Sequence, residues 1–334
     1  MSTGSRAPRT ASIRDVARAA GVSHQTVSRV LNDHQNILPA TRSRVLTAMA
    51  QLQYRPSAAA RALSTSRSKT IGVLASGRAH YGPSLSIQAI EEAARERGFF
   101  VTSSSVTEPD ERSLRSALAN LIGQDIEALV VIAPQQRVFD TVADLAPSIP
   151  CITMRAAGTG DASALLVDEI AGARLATRHL LLLGHTAIGH IAGPPDWVEA
   201  EGRMQGCVEE LRDHDLVLSA SAEGDWTADF GYAAGHRLLL QRETTAYFCS
   251  NDAVAVGLMH AARDLRLRVP HDVSIVGYDD IPEAAHVWPP LTTVRQDFAE
   301  MGRRCIAVLL GEQPPLERIL PRLVIRGSTA SPPG

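Results

Sequence analysis

No stretch of the 334 residues approaches the roughly 18 unbroken apolar residues that a membrane-spanning helix needs, which excludes a membrane protein. The first eleven residues, MSTGSRAPRTA, are small, polar and basic with no apolar segment behind them. They do not make a secretory signal, and a cytoplasmic location is the expectation. Cysteine is sparse and scattered: Cys151, Cys207, Cys249 and Cys305 show no C-x-x-C or similar spacing. That pattern argues against a metal cluster or a disulfide framework and for ordinary buried thiols. Lysine occurs once, at Lys69, which we read as coding bias and not as chemistry. Enzyme signatures are missing as well: there is no Walker loop, no G-x-G-x-x-G after the first predicted strand, no H-E-x-x-H and no G-x-S-x-G. No catalytic residue, metal or cofactor is expected.

What is present is a soluble globular composition, 45% hydrophobic and 21% charged, over a length that suits two or three domains. Charge is unevenly placed. Residues 1–69 carry eleven Lys and Arg against Asp15 and Asp33, a net of +9, whereas the remainder carries 22 against 34, a net of −12. A basic head on an acidic body is the footprint of a chain whose head alone meets a polyanion.

The head holds three short helical patterns. Ser12 and Asp15 form a capping-box pair ahead of Ile13, Val16, Ala17 and Ala20, whose spacing makes one amphipathic helix closed by Gly21. Ser23 can cap the next helix, in which Val27, Val30 and Leu31 make the buried stripe while Gln25, Ser28, Arg29 and Asn32 face away. His24 lies in its first turn. A third pattern follows Pro39, with Val45, Ala48, Met49 and Leu52 as its apolar positions. Two short helices around a glycine turn, with a third behind them, make a helix-turn-helix, whose second helix lies in the major groove with its N-terminal residues at the base edges. Glutamine can bridge adenine N6 and N7, arginine can bridge guanine O6 and N7, and histidine can donate to an acceptor such as guanine N7. A three-helix bundle can also be a protein-interaction module, and the +9 charge is what favours nucleic acid.

From Ile71 the texture becomes alternating apolar runs and helical patterns: IGVLA, FFVTSS, ALVVIA and CIT, then LLVD, AIGHIAG, AYFCS and VSIVGYDD, each separated by a helix-length segment. The fold class is α/β, with parallel sheets flanked by helices in two lobes, and a small ligand belongs in the cleft at the strand ends. His185 and His190 flank a turn into a strand and read as structural histidines. Asp279 and Asp280 could pass for a catalytic pair, but adjacent residues leaving a strand point different ways and no partner base is evident.

The segments SIRDVARAAGVSHQTVSRVLN and TRSRVLTAMAQLQYRPSAAARAL resemble the DNA-binding head of the lac repressor (LacI/GalR) family. EGDW, SNDAVAVGLM, VSIVGYDD and PPLTTVRQDF extend the resemblance through the body, implying a periplasmic-binding-protein-like core. In the head it implies that His24, Gln25 and Arg29 read bases, and that Ser12, Ile13, Ser23, Thr26, Ser28, Asn32, Thr41 and Tyr54 position the backbone. Ser57, Ala60 and Leu63 match a hinge helix, with Ala60 where two such helices touch and Leu63 as a minor-groove wedge. Taken alone, Leu63 is as well read as a linker leucine packing on its own domain. His24 stands where the lac repressor pattern has tyrosine, and Leu38-Pro39 where it has a serine.

In the body the resemblance implies that Ser76, Arg203, Asn251, Asp279 and Gln296 hold sugar hydroxyls, between Trp226 and Phe298 as apolar walls. Arg155 and Ile132 depart from the pattern, standing where it has an aspartate and an asparagine, and Arg155 would suit an acidic or phosphorylated sugar. The chain stops at SPPG without apolar heptads, so a homodimer is expected.

The expected organisation is a tail at 1–10, the helix-turn-helix at 11–56, a hinge helix and linker at 57–69, and a two-lobed effector and dimerisation domain at 70–330, with lobe boundaries near 160 and 290. The functional expectation is a repressor of carbohydrate-use genes, bound as a dimer to a near-palindromic double-stranded DNA operator and released by a sugar or galactoside-like effector. The alternative is a co-repressor type, in which a small ligand such as a purine strengthens DNA binding.

Overall fold

The computed structural model describes residues 11–31, 36–54, 67–76, 80–106, 110–133, 136–145, 148–156, 164–195, 197–312 and 318–333. Asn32, Ser57, Ala60 and Leu63 lie outside the described residues, as does the side chain of Arg155. Contacts divide the chain into two compact units, Met1–Lys69 and Thr70–Gly334.

The first unit is three helices, α1 (Ile13–Ala20), α2 (His24–Leu31) and α3 (Pro39–Gln51). The Ser12 hydroxyl accepts the Asp15 amide at 3.3 Å, and the Asp15 carboxylate accepts the Ser12 amide at 2.9 Å. This reciprocal cap fixes the first turn of α1, where the Asp15 amide also reaches the Ser12 carbonyl at 3.0 Å. Gly21 ends the helix at φ +64°, a left-handed conformation that glycine adopts without strain. At the head of α2 the Ser23 hydroxyl accepts the Thr26 amide at 3.1 Å. Val16, Ala17, Ala20, Val27, Val30, Val45 and Ala48 form one core, with Ile13, Val22, Leu31, Ile37, Met49 and Tyr54 packed around it. Leu52 does not join it: it lies just past the end of α3 and stays 37% exposed, because the helical spacing that would bury it stops at Gln51.

The second unit contains two sheets. The first, in order β2-β1-β3-β4-β5, is wholly parallel and comprises β1 (Thr70–Ser76), β2 (Phe100–Val106), β3 (Ala128–Ile132), β4 (Cys151–Ala156) and β5 (Ala164–Val167). The connecting helices are α4 (Tyr81–Glu96), α5 (Glu111–Ile122) and α6 (Gln136–Leu145). Runs such as ALVVI in β3 are buried along their whole length, as strands covered on both faces must be.

The chain then passes through α7 (Glu169–Leu182) into the second sheet, with β6 (Ile188–Ala192), α8 (Val198–Arg212), β7 (Ala220–Glu223), α9 (Ala228–Leu239), β8 (Ala246–Cys249), α10 (Asp252–Asp264) and β9 (Ser274–Tyr278). A short 3-10 turn, Pro282–Ala285, leads to β10 (Thr292–Arg295), and α11 (Phe298–Leu309) precedes β11 (Arg322–Val324). The strand order is β11-β10-β9-β8-β6-β7, with only the β10–β11 pair antiparallel.

The lobes exchange chain. α11 packs on the first sheet, placing Met301, Cys305, Ile306 and Ile319 in one cluster with Ile71, Val73, Val130 and Ile152, while β10 and β11 belong to the second sheet. The passages therefore fall at 167–169, 295–298 and 319–322. Shared segments of this kind leave a cleft between lobes at the carboxyl ends of the strands, the usual ligand position in open α/β sheets.

Candidate functional site

The head presents one polar face. In α2 His24, Gln25 and Arg29 are exposed, Thr26 and Ser28 half-buried, and Val27 and Val30 buried on the opposite side. Gln25 and Arg29 are one turn apart and share a face, so they can reach neighbouring base pairs of a single groove. The positioning residues already have local partners. Ser12 donates its hydroxyl to Asp15 at 2.6 Å, Ser23 and Thr26 share a hydroxyl hydrogen bond of 2.9 Å, and Ile13 and Tyr54 lean on the core. Thr41 is half-buried in the first turn of α3, its amide bonded to the Leu38 carbonyl at 2.9 Å.

The second unit carries a cleft lined by charged, amide and aromatic side chains, the mixture usual in small-molecule sites. Its polar centre is Arg203, delivered by α8 and side-chain buried to 5% exposure. The guanidinium donates through Nε to Glu169 at 2.8 Å and through one terminal nitrogen to the Ser250 carbonyl at 2.5 Å, and its other terminal nitrogen lies 3.5 Å from Asp279. Gln296 donates to the same Asp279 oxygen at 3.1 Å. Arg203 lies over the ring of Tyr278 at 3.8 Å and that of Trp226 at 5.5 Å. The planar cation is thus held between two aromatic faces as well as two carboxylates. Burial works against this charge, but Glu169 and Asp279 more than offset it and hold the guanidinium above its ordinary range.

The acids respond in the opposite sense. Burial pushes the Asp279 carboxyl up to about 6, with Arg203 pulling the other way. Burial and then the neighbouring Glu169 push Glu199 up to about 7. Supporting contacts fix the frame. The buried His190 donates from Nδ1 to the Phe248 carbonyl at 2.9 Å and through Nε2 shares a hydrogen bond of 3.2 Å with the Ser250 hydroxyl, and the Ser250 carbonyl in turn accepts from Arg203. Asn251 caps α10 by accepting the Val254 amide at 2.8 Å, and its amide nitrogen donates to the Trp226 carbonyl at 3.0 Å. It lines the cleft and also ties the tryptophan loop to the sheet. A Cβ on Gly193 would come within 2.4 Å of the Trp226 indole, so the side-chain-free backbone just past β6 is what lets the ring approach this closely.

Of the residues expected to meet an effector, Arg203, Trp226, Asn251, Asp279, Gln296 and Phe298 come together as lining of this one cleft. Ser76 ends β1, is buried, and is not among the lining residues. Arg155 lies on β4, beside the lining residue Met154. Ile132 also lines the cleft, an apolar wall in place of an amide. Sequence reasoning missed Glu169, Glu199, Trp197 and Tyr81, all of which line it. Trp197 meets Trp226 edge-on at 5.3 Å and His80 at 5.0 Å, while Tyr81 meets Phe298 at 6.3 Å. The signal that could have found one of them is the i, i+4 spacing of Glu199 and Arg203, which puts both on one face of α8.

Asp280, by contrast, turns away from the cleft to pair with Arg295 and with Arg326, the latter at 2.6 Å. The two adjacent aspartates therefore serve different structures. His185 is buried among Thr245, Ser274 and the Ala330 carbonyl and takes no part in the cleft. Cys207, Cys249 and Cys305 are buried free thiols and Cys151 a half-buried one.

A helix-turn-helix head and a two-lobed core with a polar, aromatic-walled cleft define a class: regulators that bind nucleic acid through one part and a small molecule through the other. Residues 12–57 match the bacterial regulatory proteins of the lacI family, and residues 177–329 match a periplasmic binding protein-like domain. The lactose operon repressor of Escherichia coli (strain K12) is 34% identical over 325 residues, covering 95% of this chain and 90% of its own. The transcriptional repressor PurR of Haemophilus influenzae (strain PittEE) is 33% identical over 336 residues, covering 96% and 99%. A crystal structure of the lac repressor dimer bound to operator and the anti-inducer ONPF superposes with a TM-score of 0.87 at 32% identity, covering 96% of this chain and all of the other. The chain belongs to the lacI family of bacterial regulatory proteins. Among the described residues no helix is long and apolar enough to cross a membrane.

Proposed function

We propose that the protein is a dimeric repressor that holds a near-palindromic DNA operator through α2 and lets go when a sugar occupies the cleft. The observation that carries this reading is the joined set Arg203–Asp279–Gln296 beneath Trp226. Vicinal hydroxyls both donate and accept, so a carboxylate beside a guanidinium and a carboxamide can hold them in pairs, and an indole covers the C–H face of a sugar ring. His24, Gln25 and Arg29 are assigned to base edges, and Ser12, Ile13, Ser23, Thr26, Ser28, Asn32, Thr41 and Tyr54 to phosphate and register. Ser57 and Ala60 are assigned to a hinge and Leu63 to the minor-groove wedge. Such a regulator works in the cytoplasm, has no catalytic step and needs no cofactor.

Release requires that the ligand bind one arrangement of the two lobes better than the arrangement that holds DNA, since a ligand indifferent to both shifts nothing. The three segments shared between lobes are the places where such a motion is accommodated. The test is operator-bound protein titrated with galactosides, glucosides, acidic sugars and purines, followed by footprinting. Release by any sugar of the panel supports the reading; tightening by a purine would replace it with the co-repressor alternative.

A further inference from the structure

The described lining of the cleft has an imbalance of charge. Among the described lining residues it contains three carboxylates, Glu169, Glu199 and Asp279, against one guanidinium, Arg203, and one imidazole, His80. Arg203 is already engaged by Glu169, Asp279 and the Ser250 carbonyl, and its charge draws the Glu199 carboxyl down by less than burial and Glu169 push it up. Burial holds the His80 imidazole below its ordinary value, which leaves it largely neutral at pH 7. Two buried polar atoms of the lining have no hydrogen-bond partner: Glu199 Oε2, an acceptor, and Trp226 Nε1, a donor on a side chain only 7% exposed. Buried polar groups without partners are uncommon, and a pair of opposite polarity in one cavity points to a ligand that supplies both.

We propose, building on the sugar-effector reading, that the cleft is specific for a cationic polyol of the amino-sugar type, whose ammonium meets Glu199 and whose hydroxyl oxygen accepts from Trp226 Nε1. A neutral sugar could satisfy both hydrogen bonds but would leave the unmatched carboxylate in a site of low polarity. An acidic sugar would add a further negative charge beside Glu169, Glu199 and Asp279. An ammonium answers the hydrogen bond and the charge together, and the aromatic walls Trp197, Trp226, Tyr81 and Phe298 favour a cation over their faces.

The proton inventory agrees with this geometry. The charged groups around Glu199 are Glu169 from α7, Arg203 on its own helix and Asp279 following β9, with His80 also lining the cleft before α4. Burial, and then the neighbouring Glu169, hold Glu199 near 7, so it is partly protonated at neutral pH. Binding an ammonium requires the carboxylate form, so the complex releases a proton from Glu199 and gains affinity as pH rises from 6 towards 7, below the range near 8 in which the amine gives up its own proton.

The experiment is isothermal titration calorimetry of the full-length protein with glucosamine and galactosamine, their parent sugars, their N-acetyl derivatives and the corresponding uronates, at pH 7 in two buffers of different ionisation enthalpy. The expected result is at least tenfold tighter binding of one amine than of its parent or N-acetyl form, with proton release. In Glu199→Gln and Glu199→Ser that ratio falls towards one, with operator binding serving as the check that each variant is folded. Equal or tighter binding of the parent sugar or the uronate, or a preference that survives both substitutions, overturns the proposal. Neutral sugars that bind without an amine preference overturn this proposal alone, whereas failure of every sugar to bind overturns the sugar-effector reading with it.

Discussion

Asp279 is the residue at which structure and recognition conflict most directly. It is buried, its carboxyl is raised to about 6 by that burial, and it shares Arg203 with Glu169. Asp279→Asn keeps the shape and the Gln296 contact while removing one acid from an acid-rich site. We expect effector affinity to fall by at least tenfold in calorimetry while the melting temperature moves by only a few degrees. Arg203→Ala is a poorer probe, because stripping a buried cation from two carboxylates costs about 3–5 kcal/mol and destabilises the lobe along with the site. His190 carries a separate prediction. Burial lowers its imidazole to about 4 from an ordinary 6.5. The unfolded ring takes up a proton below 6.5 and the folded ring does not until about 4, so its contribution is full above 6.5 and is lost as pH falls through that window. The loss is about 3 kcal/mol at most. Denaturant melts of the parent and His190→Gln should converge in stability between pH 6.5 and 4, and a constant gap would contradict the assignment.

At the scale of elements, the caps determine whether short helices persist. Helix α1 has only eight residues, too few to be stable alone, and depends on its packing and on the Ser12–Asp15 box. Ser12→Ala should cost about 1 kcal/mol of head stability, read as a lower melting midpoint of the DNA-binding unit. This box, the glycine stop and the valine stripe of α2 were legible in the sequence because each is local: the residues that signal the element also make it. Leu52 was misread for the complementary reason, since periodicity does not show where a helix stops. In the cleft, Arg203, Asp279 and Gln296 were legible through the family resemblance. Glu169 and Glu199 were not, because on a helix an acid near an arginine looks like an ordinary surface pair. Only the fold, by packing α7 against α8 beneath the tryptophans, turns Glu169 into the partner and leaves Glu199 without one. On α2 the exposed pair Gln25 and Arg29 predicts that Gln25→Ala weakens cognate operator binding by about 1–3 kcal/mol and relaxes preference at a single base pair. A uniform loss on unrelated DNA in gel-shift assays would reassign Gln25 to backbone contact.

For the whole molecule, the division of charge sets the terms of DNA binding. A head of +9 on a body of −12 binds DNA through ion release at the head while the body repels the phosphate chain. Operator affinity should therefore fall by about 10³–10⁵ between 50 and 200 mM salt if the dimer makes the 6–10 phosphate contacts typical of such proteins. A much weaker dependence, measured by fluorescence anisotropy, would mean that a single head binds.

If occupation of the cleft controls the hold on DNA, both must change together in one sample. Labelled operator bound to the protein is titrated with the sugar panel while anisotropy is recorded, alongside the same titration of Asp279→Asn. The parent protein should release the operator over the concentration range in which calorimetry shows the cleft filling, and the variant should stay bound until the ligand concentration is raised at least tenfold. Release at the same concentration in both proteins, or a filled cleft with the operator still bound, would contradict it.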